Sequence, residues 1–131
     1  MRKRFLAVLL ALTCLAGTSG CAILAAGAVA GGGTYAYVSG WGERSYAVDL
    51  DKAFDASMAA CKRLDLTVEK RSRSLSDASI KAHDADDTSV WINLEAKNTN
   101  ITHVKVRVGV LGDEAATQRI HAAIDNALAG R

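Results

Sequence analysis

The stretch ITHVKVRVGV, residues 101–110, alternates without a break. Val104, Val106, Val108 and Val110 fall on one face of an extended chain, and His103, Lys105, Arg107 and Gly109 fall on the other. Side chains in a strand point to opposite faces with period two, so this pattern demands a strand with one apolar and one wetter face. The alternation recurs upstream. SVWINLEA sets Val90, Ile92, Leu94 and Ala96 against Trp91, Asn93 and Glu95. ASIKAH places Ala78, Ile80 and Ala82 together, and LTVEKRS turns Leu66 and Val68 inward against Thr67 and Glu69. Polar turns at residues 74–77, 84–87 and 97–100 separate these runs. Such a series predicts an antiparallel sheet covered on one face only.

The covered face needs helices. Asp49 is a suitable N-cap, with Asp51 in the first turn, and Leu50, Ala53, Phe54, Ser57, Met58, Cys61 and Leu64 follow at helical spacing. At the C-terminus Asp113 caps a second helix, with Glu114 in its first turn. Ala116, Ile120, Ala123, Ile124, Ala127 and Leu128 form its apolar face, and Gly130 suits the stop. ERSYAVD reads as one more short strand before the first helix. The expected fold is therefore α+β and two-layered. It has a four- to five-stranded, mainly antiparallel sheet with both helices on one face, in the order β-α-β-β-β-β-α. The chain has no proline to break these spans.

The N-terminus has a different grammar. Arg2, Lys3 and Arg4 precede an apolar run, residues 5–16, and then the small and polar residues 17–20 lead to Cys21. This is the order of a secretory signal peptide, and the run is shorter than the ~20 apolar residues of a spanning helix. The end of the segment resembles the lipobox of bacterial lipoproteins, with Thr18 standing where leucine is usual. That resemblance implies cleavage before Cys21 and acylation of its thiol. The expected organisation is a signal peptide at 1–20, a lipidated Cys21 with an Ala/Gly-rich tether at 21–43, and a folded domain at 44–131. The competing reading is a signal anchor, residues 5–29, that oligomerises through the GxxxG spacing of Gly27 and Gly31. Tyr35, Tyr37 and Trp41 suit either a membrane interface or an edge segment packed on the domain.

Charge excludes one class of partner. The chain carries 16 Lys and Arg against 14 Asp and Glu, but three of those cations sit in the leader. Without it, 13 face 14, which leaves no footprint for nucleic acid. Cys14, Cys21 and Cys61 match no zinc spacing, and Cys61, on the apolar stripe of a helix, reads as a buried small hydrophobe. A Cys21–Cys61 bridge is the less favoured pairing. Asp84, Asp86 and Asp87 lack the spread of ligands and the glycine of a calcium loop. His83, His103 and His121 share no metal-binding spacing. No nucleophile elbow, phosphate loop or dinucleotide fingerprint occurs. The expectation is no enzyme, no metal and no cofactor. One surface stands out: Trp91, His103, Lys105 and Arg107 on the wetter sheet face, with Trp91 placed for a cation–π pair with Lys105 or Arg107.

The segments GCAILAAGAVAGGGTYAYVSG, VDLDKAFDASMAACKRLDLTVEK and ITHVKVRVGVLGDEAATQRIHAAI resemble a bacterial lipoprotein family known as domain of unknown function 3568. The most specific part is the Arg-Val-Gly-x-x-Gly-Asp segment at residues 107–113. The resemblance implies a lipid-anchored protein of the cell envelope and implies no enzyme; the expected partners are the membrane, through the N-terminal lipid, and an unidentified envelope protein. Ala22 after the cysteine implies outer-membrane delivery, with the domain facing the periplasm.

Overall fold

A computed structural model describes residues 34–131 of the chain. The expected signal peptide, Cys14, Cys21 and the Gly27/Gly31 pair lie outside the described residues. The elements are β1 (Ala36–Val38), β2 (Trp41–Tyr46), α1 (Leu50–Arg63), β3 (Thr67–Arg73), β4 (Asp77–His83), β5 (Ser89–Asn98), β6 (Ile101–Val108) and α2 (Glu114–Leu128). Six strands make one sheet in the order β1-β2-β6-β5-β4-β3, with every neighbouring pair antiparallel. The two helices pack on each other and on the same sheet face. This is the expected two-layer α+β fold with a larger sheet.

The added strand is β1, and β2 begins at Trp41, so folded structure reaches into residues expected to be tether. Ser39 and Gly40 explain the join. Their φ values are +52° and +84°, and two successive residues at positive φ are what a tight type I′ hairpin requires. Three residues are too few to show a period, and Ser-Gly is a weaker turn signal than Asn-Gly. Tyr35, Tyr37 and Trp41 accordingly belong to, or adjoin, a sheet edge.

The core follows the alternation. Ala78, Ile80, Ala82, Val90, Ile92, Leu94, Val104, Val106 and Val108 are buried beneath the helices. Burying each large aliphatic side chain contributes about 1.5–3 kcal/mol. Val110 is the exception. The chain turns at Gly109, φ +74°, and leaves Val110 77% exposed. Asp49 and Asp113 cap as expected, accepting from the backbone N–H of Lys52 at 2.8 Å and of Ala116 at 3.0 Å. Each cap is worth ~1 kcal/mol. α1 buries Leu50, Ala53, Phe54, Ser57 and Cys61, with Met58 and Leu64 half-buried beside them. α2 buries Ile120, Ala123 and Ile124 and, beyond expectation, Thr117 and His121.

β3 departs from plain alternation. A bulge between Val68 and Lys70 lets Arg71 and Arg73 reach the helix side. The Arg73 guanidinium sits 5.2 Å from the Phe54 ring centroid and 3.3 Å from Asp51. Phe54, Asp55, Arg71, Ser72 and Arg73 line an open cleft of about 430 Å³ there.

Candidate functional site

The sheet face away from the helices carries every residue of the expected interaction surface. β6 supplies His103, Lys105 and Arg107, and β5 supplies Trp91, Asn93 and Glu95. Antiparallel register pairs Trp91 with Arg107, Asn93 with Lys105, and Glu95 with His103. Trp91 and Arg107 are thus direct neighbours, as the sequence suggested.

The cation–π pair is different from the one expected. The guanidinium of Arg107 lies 5.8 Å from the ring centroid of Trp41, a β2 residue. Arg107 also donates to the carbonyls of Gly109 and Val110. Those bonds draw its head toward the β1–β2 hairpin and away from Lys105. Glu43 is the second residue that sequence reasoning missed. It lies 3.3 Å from the Lys105 ammonium and 3.7 Å from His103 Nε2. Trp41 lies in the expected tether, and Glu43 lies where that tether meets the ERSYAVD strand, whose pairing with β6 the sequence does not reveal.

On the far side of Trp91, β4 adds Lys81, its direct partner in the ladder. Glu69 from β3 meets Lys81 at 3.0 Å and His83 at 3.0 Å. The Lys81 hydrogen bond leads in holding the Glu69 carboxyl below its usual range. Lys97 acts likewise on Glu95. The open face is therefore a half-exposed lattice of ion pairs crossed by one aromatic–cation row.

A second polar cluster lies under α2. His121 is only 2% exposed. Its Nε2 lies 3.0 Å from the Gly42 carbonyl, which can only accept, so Nε2 carries the proton. Nδ1 then accepts from the Tyr46 hydroxyl at 2.8 Å. Burial, with a smaller contribution from nearby Arg44, pulls the imidazole down to about 4, so it is neutral at pH 7. Burial also pushes the Tyr46 phenol up. Arg44 of β2 pairs with Asp125 of α2, whose carboxyl burial nevertheless holds above its usual range. The ring of Tyr35 meets His121 edge-on at 5.7 Å. The signal for His121 was present in the sequence. Thr117, Ile120, His121 and Ile124 follow the i, i+3, i+4, i+7 spacing of one helix face, but a histidine does not by itself mark an apolar stripe.

The remaining candidates have structural roles. Cys61 is buried, has no disulfide partner among the described residues, and as a thiol is pushed by burial up to about 11, which suppresses thiolate chemistry. Asp84 closes its turn by accepting from the backbone N–H of Asp86 and Thr88. Among the described residues no group of three or more His, Cys, Asp or Glu could hold a metal ion.

The 107–113 segment shows why its residue types matter. Arg107 ties the turn, Gly109 and Gly112 take positive φ, and Asp113 caps α2. A side chain at Gly112 would meet the Gly40 backbone at 2.6 Å. A family model described as Protein of unknown function (DUF3568) matches residues 3–127. The chain belongs to DUF3568. The match takes in the N-terminal segment with Cys21 as well as all of this DUF3568 domain except the end of α2. No curated protein matched the chain.

Proposed function

We propose that this DUF3568 protein is a lipid-anchored module of the bacterial cell envelope, held by acylated Cys21 and facing the periplasm, favouring the outer membrane. It works as a structural or interaction protein through its open sheet face. The observation that carries this reading is the order of the N-terminal sequence. A basic start, a short apolar run and small residues lead to Cys21, and a complete two-layer fold follows within a few residues of Gly33. Two or three acyl chains hold a protein far more firmly than one, since each buried CH₂ contributes ~0.8 kcal/mol. The open face supports the interaction role, because Trp91, His103, Lys105 and Arg107 are gathered on the sheet face opposite the two described helices. The alternative is a signal-anchored protein associating through Gly27 and Gly31.

Intact mass of the membrane-extracted protein decides between them. The expected mature chain starts at Cys21 and carries acyl mass, and Cys21→Ser yields an unprocessed or released form. An intact Met1 together with an unchanged membrane fraction in Cys21→Ser would overturn acylation in favour of the anchor.

A further inference from the structure

Two indoles and three cations follow one line across the open sheet face, alternating as far as Lys81. Trp41 on β2, Arg107 on β6, Trp91 on β5, Lys81 on β4 and Lys70 on β3 follow one another through successive strands. The two indoles are separated by two interstrand steps, roughly 10 Å. That spacing is close to the repeat of a disaccharide in an extended β-1,4-linked glycan. A pyranose offers a C–H-rich face that lies well on an indole, and its edges offer hydroxyls for planar polar groups such as Asn93 in the next row.

Charge along the row selects further. Arg107 separates the two indoles in the ladder; its guanidinium leans to the Trp41 side, 5.8 Å from that ring centroid, donates to the Gly109 and Val110 carbonyls, and forms no carboxylate ion pair among the described residues. Lys81 flanks Trp91 on its other side, 45% exposed and shared with Glu69. The acids Glu43, Glu95 and Asp77 lie in rows further along the strands. A ligand running along the aromatic row therefore meets rings and positive charge together. We infer that the Trp41–Arg107–Trp91–Lys81 row binds an acidic glycan, a β-linked sugar chain bearing carboxylates. Trp41 and Trp91 carry alternate sugar rings, and the Arg107 guanidinium, keeping its bonds to the Gly109 and Val110 carbonyls, receives a carboxylate beside Trp41. This deepens the proposed interaction role of the face and rests on it. A single-stranded nucleic acid also stacks on aromatic rings, but it needs a basic groove, and the chain's charges are nearly balanced.

The test is calorimetric titration of the full-length, detergent-solubilised protein with a tetrasaccharide of alternating N-acetylglucosamine and N-acetylmuramic acid. Chitotetraose is the neutral comparator, and a deoxythymidine decamer is the competitor. The acidic tetrasaccharide is expected to bind, and chitotetraose to bind severalfold more weakly. Trp91→Ala and Trp41→Ala should each weaken binding roughly tenfold. Lys81→Gln, at an exposed site, checks the row without touching the core and should cost severalfold. No binding of the tetrasaccharide, equal binding of chitotetraose, displacement by the decamer, or full affinity in folded Trp91→Ala each overturns the inference. Acylation is read separately by mass, so a failure here removes the ligand and leaves the anchoring result standing.

Discussion

His121 spends its hydrogen-bonding capacity inside the fold, and that makes it the residue most sensitive to acid. Its imidazole titrates at about 4 in the folded chain against an ordinary value of 6.5. Between those values the unfolded chain binds the extra proton, so stability falls as pH drops through the window. The loss approaches about 3 kcal/mol below pH 4. Asp125 pulls the other way. Its raised carboxyl takes up a proton more readily when folded, which favours the native state as pH falls. Tyr46, Arg44 and Tyr35 are the other polar groups around the ring. Urea midpoints of the wild type and His121→Gln, measured from pH 7 to pH 4, should show a steep decline only in the wild type. Parallel declines would assign the acid sensitivity to another group. The sequence held the position of this residue in the 117–124 spacing, but its burial depended on Gly42 and Tyr46, distant in the chain.

At the level of elements, α2 lies against β2 because Gly42 has no side chain. A Cβ there would strike Thr117 Cγ2 and come within 2.8 Å of the Tyr35 hydroxyl. Gly42→Ala should therefore lift the helix and destabilise the domain by about 1–3 kcal/mol. Adding Thr117→Ser, which removes the clashing methyl, should restore part of the loss in chemical denaturation. A stable single variant would mean that the helix can shift freely. Helices and central strands were legible because their periods are long and clean: Asp49 and Asp113 start helices, and the valines of β6 name its inner face. β1 was not legible. Its pairing comes from a two-residue turn at Ser39 and Gly40, and three residues of AYV carry no period. Trp41 escapes the candidate surface for the same reason, and Glu43 because its place opposite Lys105 depends on the β2–β6 pairing; Trp91, His103, Lys105 and Arg107 follow from alternation alone.

Across the whole molecule, protection is graded from the sheet centre outward. β5 and β6 have strands on both sides and helices above, whereas β1 pairs only with β2. Amide exchange should be slowest at Ile92, Leu94, Val104 and Val106 and fastest in β1, with β3 next. Equal protection in β1 and β6 would contradict that gradient. β3 guards its own edge by the bulge at Val68/Lys70 and by Lys70, Arg71 and Arg73, which discourage strand addition.

The three-residue first strand also sets how the domain answers a pull. Tension entering at residue 34 acts on a strip held by the register Ala36 with Glu43, Tyr37 with Gly42 and Val38 with Trp41. Such a strip opens from its end, one rung at a time, like a zip. The hairpin at Ser39 and Gly40 then becomes slack that spares β2. A domain joined at this edge has a built-in fuse, yielding the five residues from Ala36 to Gly40, roughly 17 Å of extended chain, before load reaches the core.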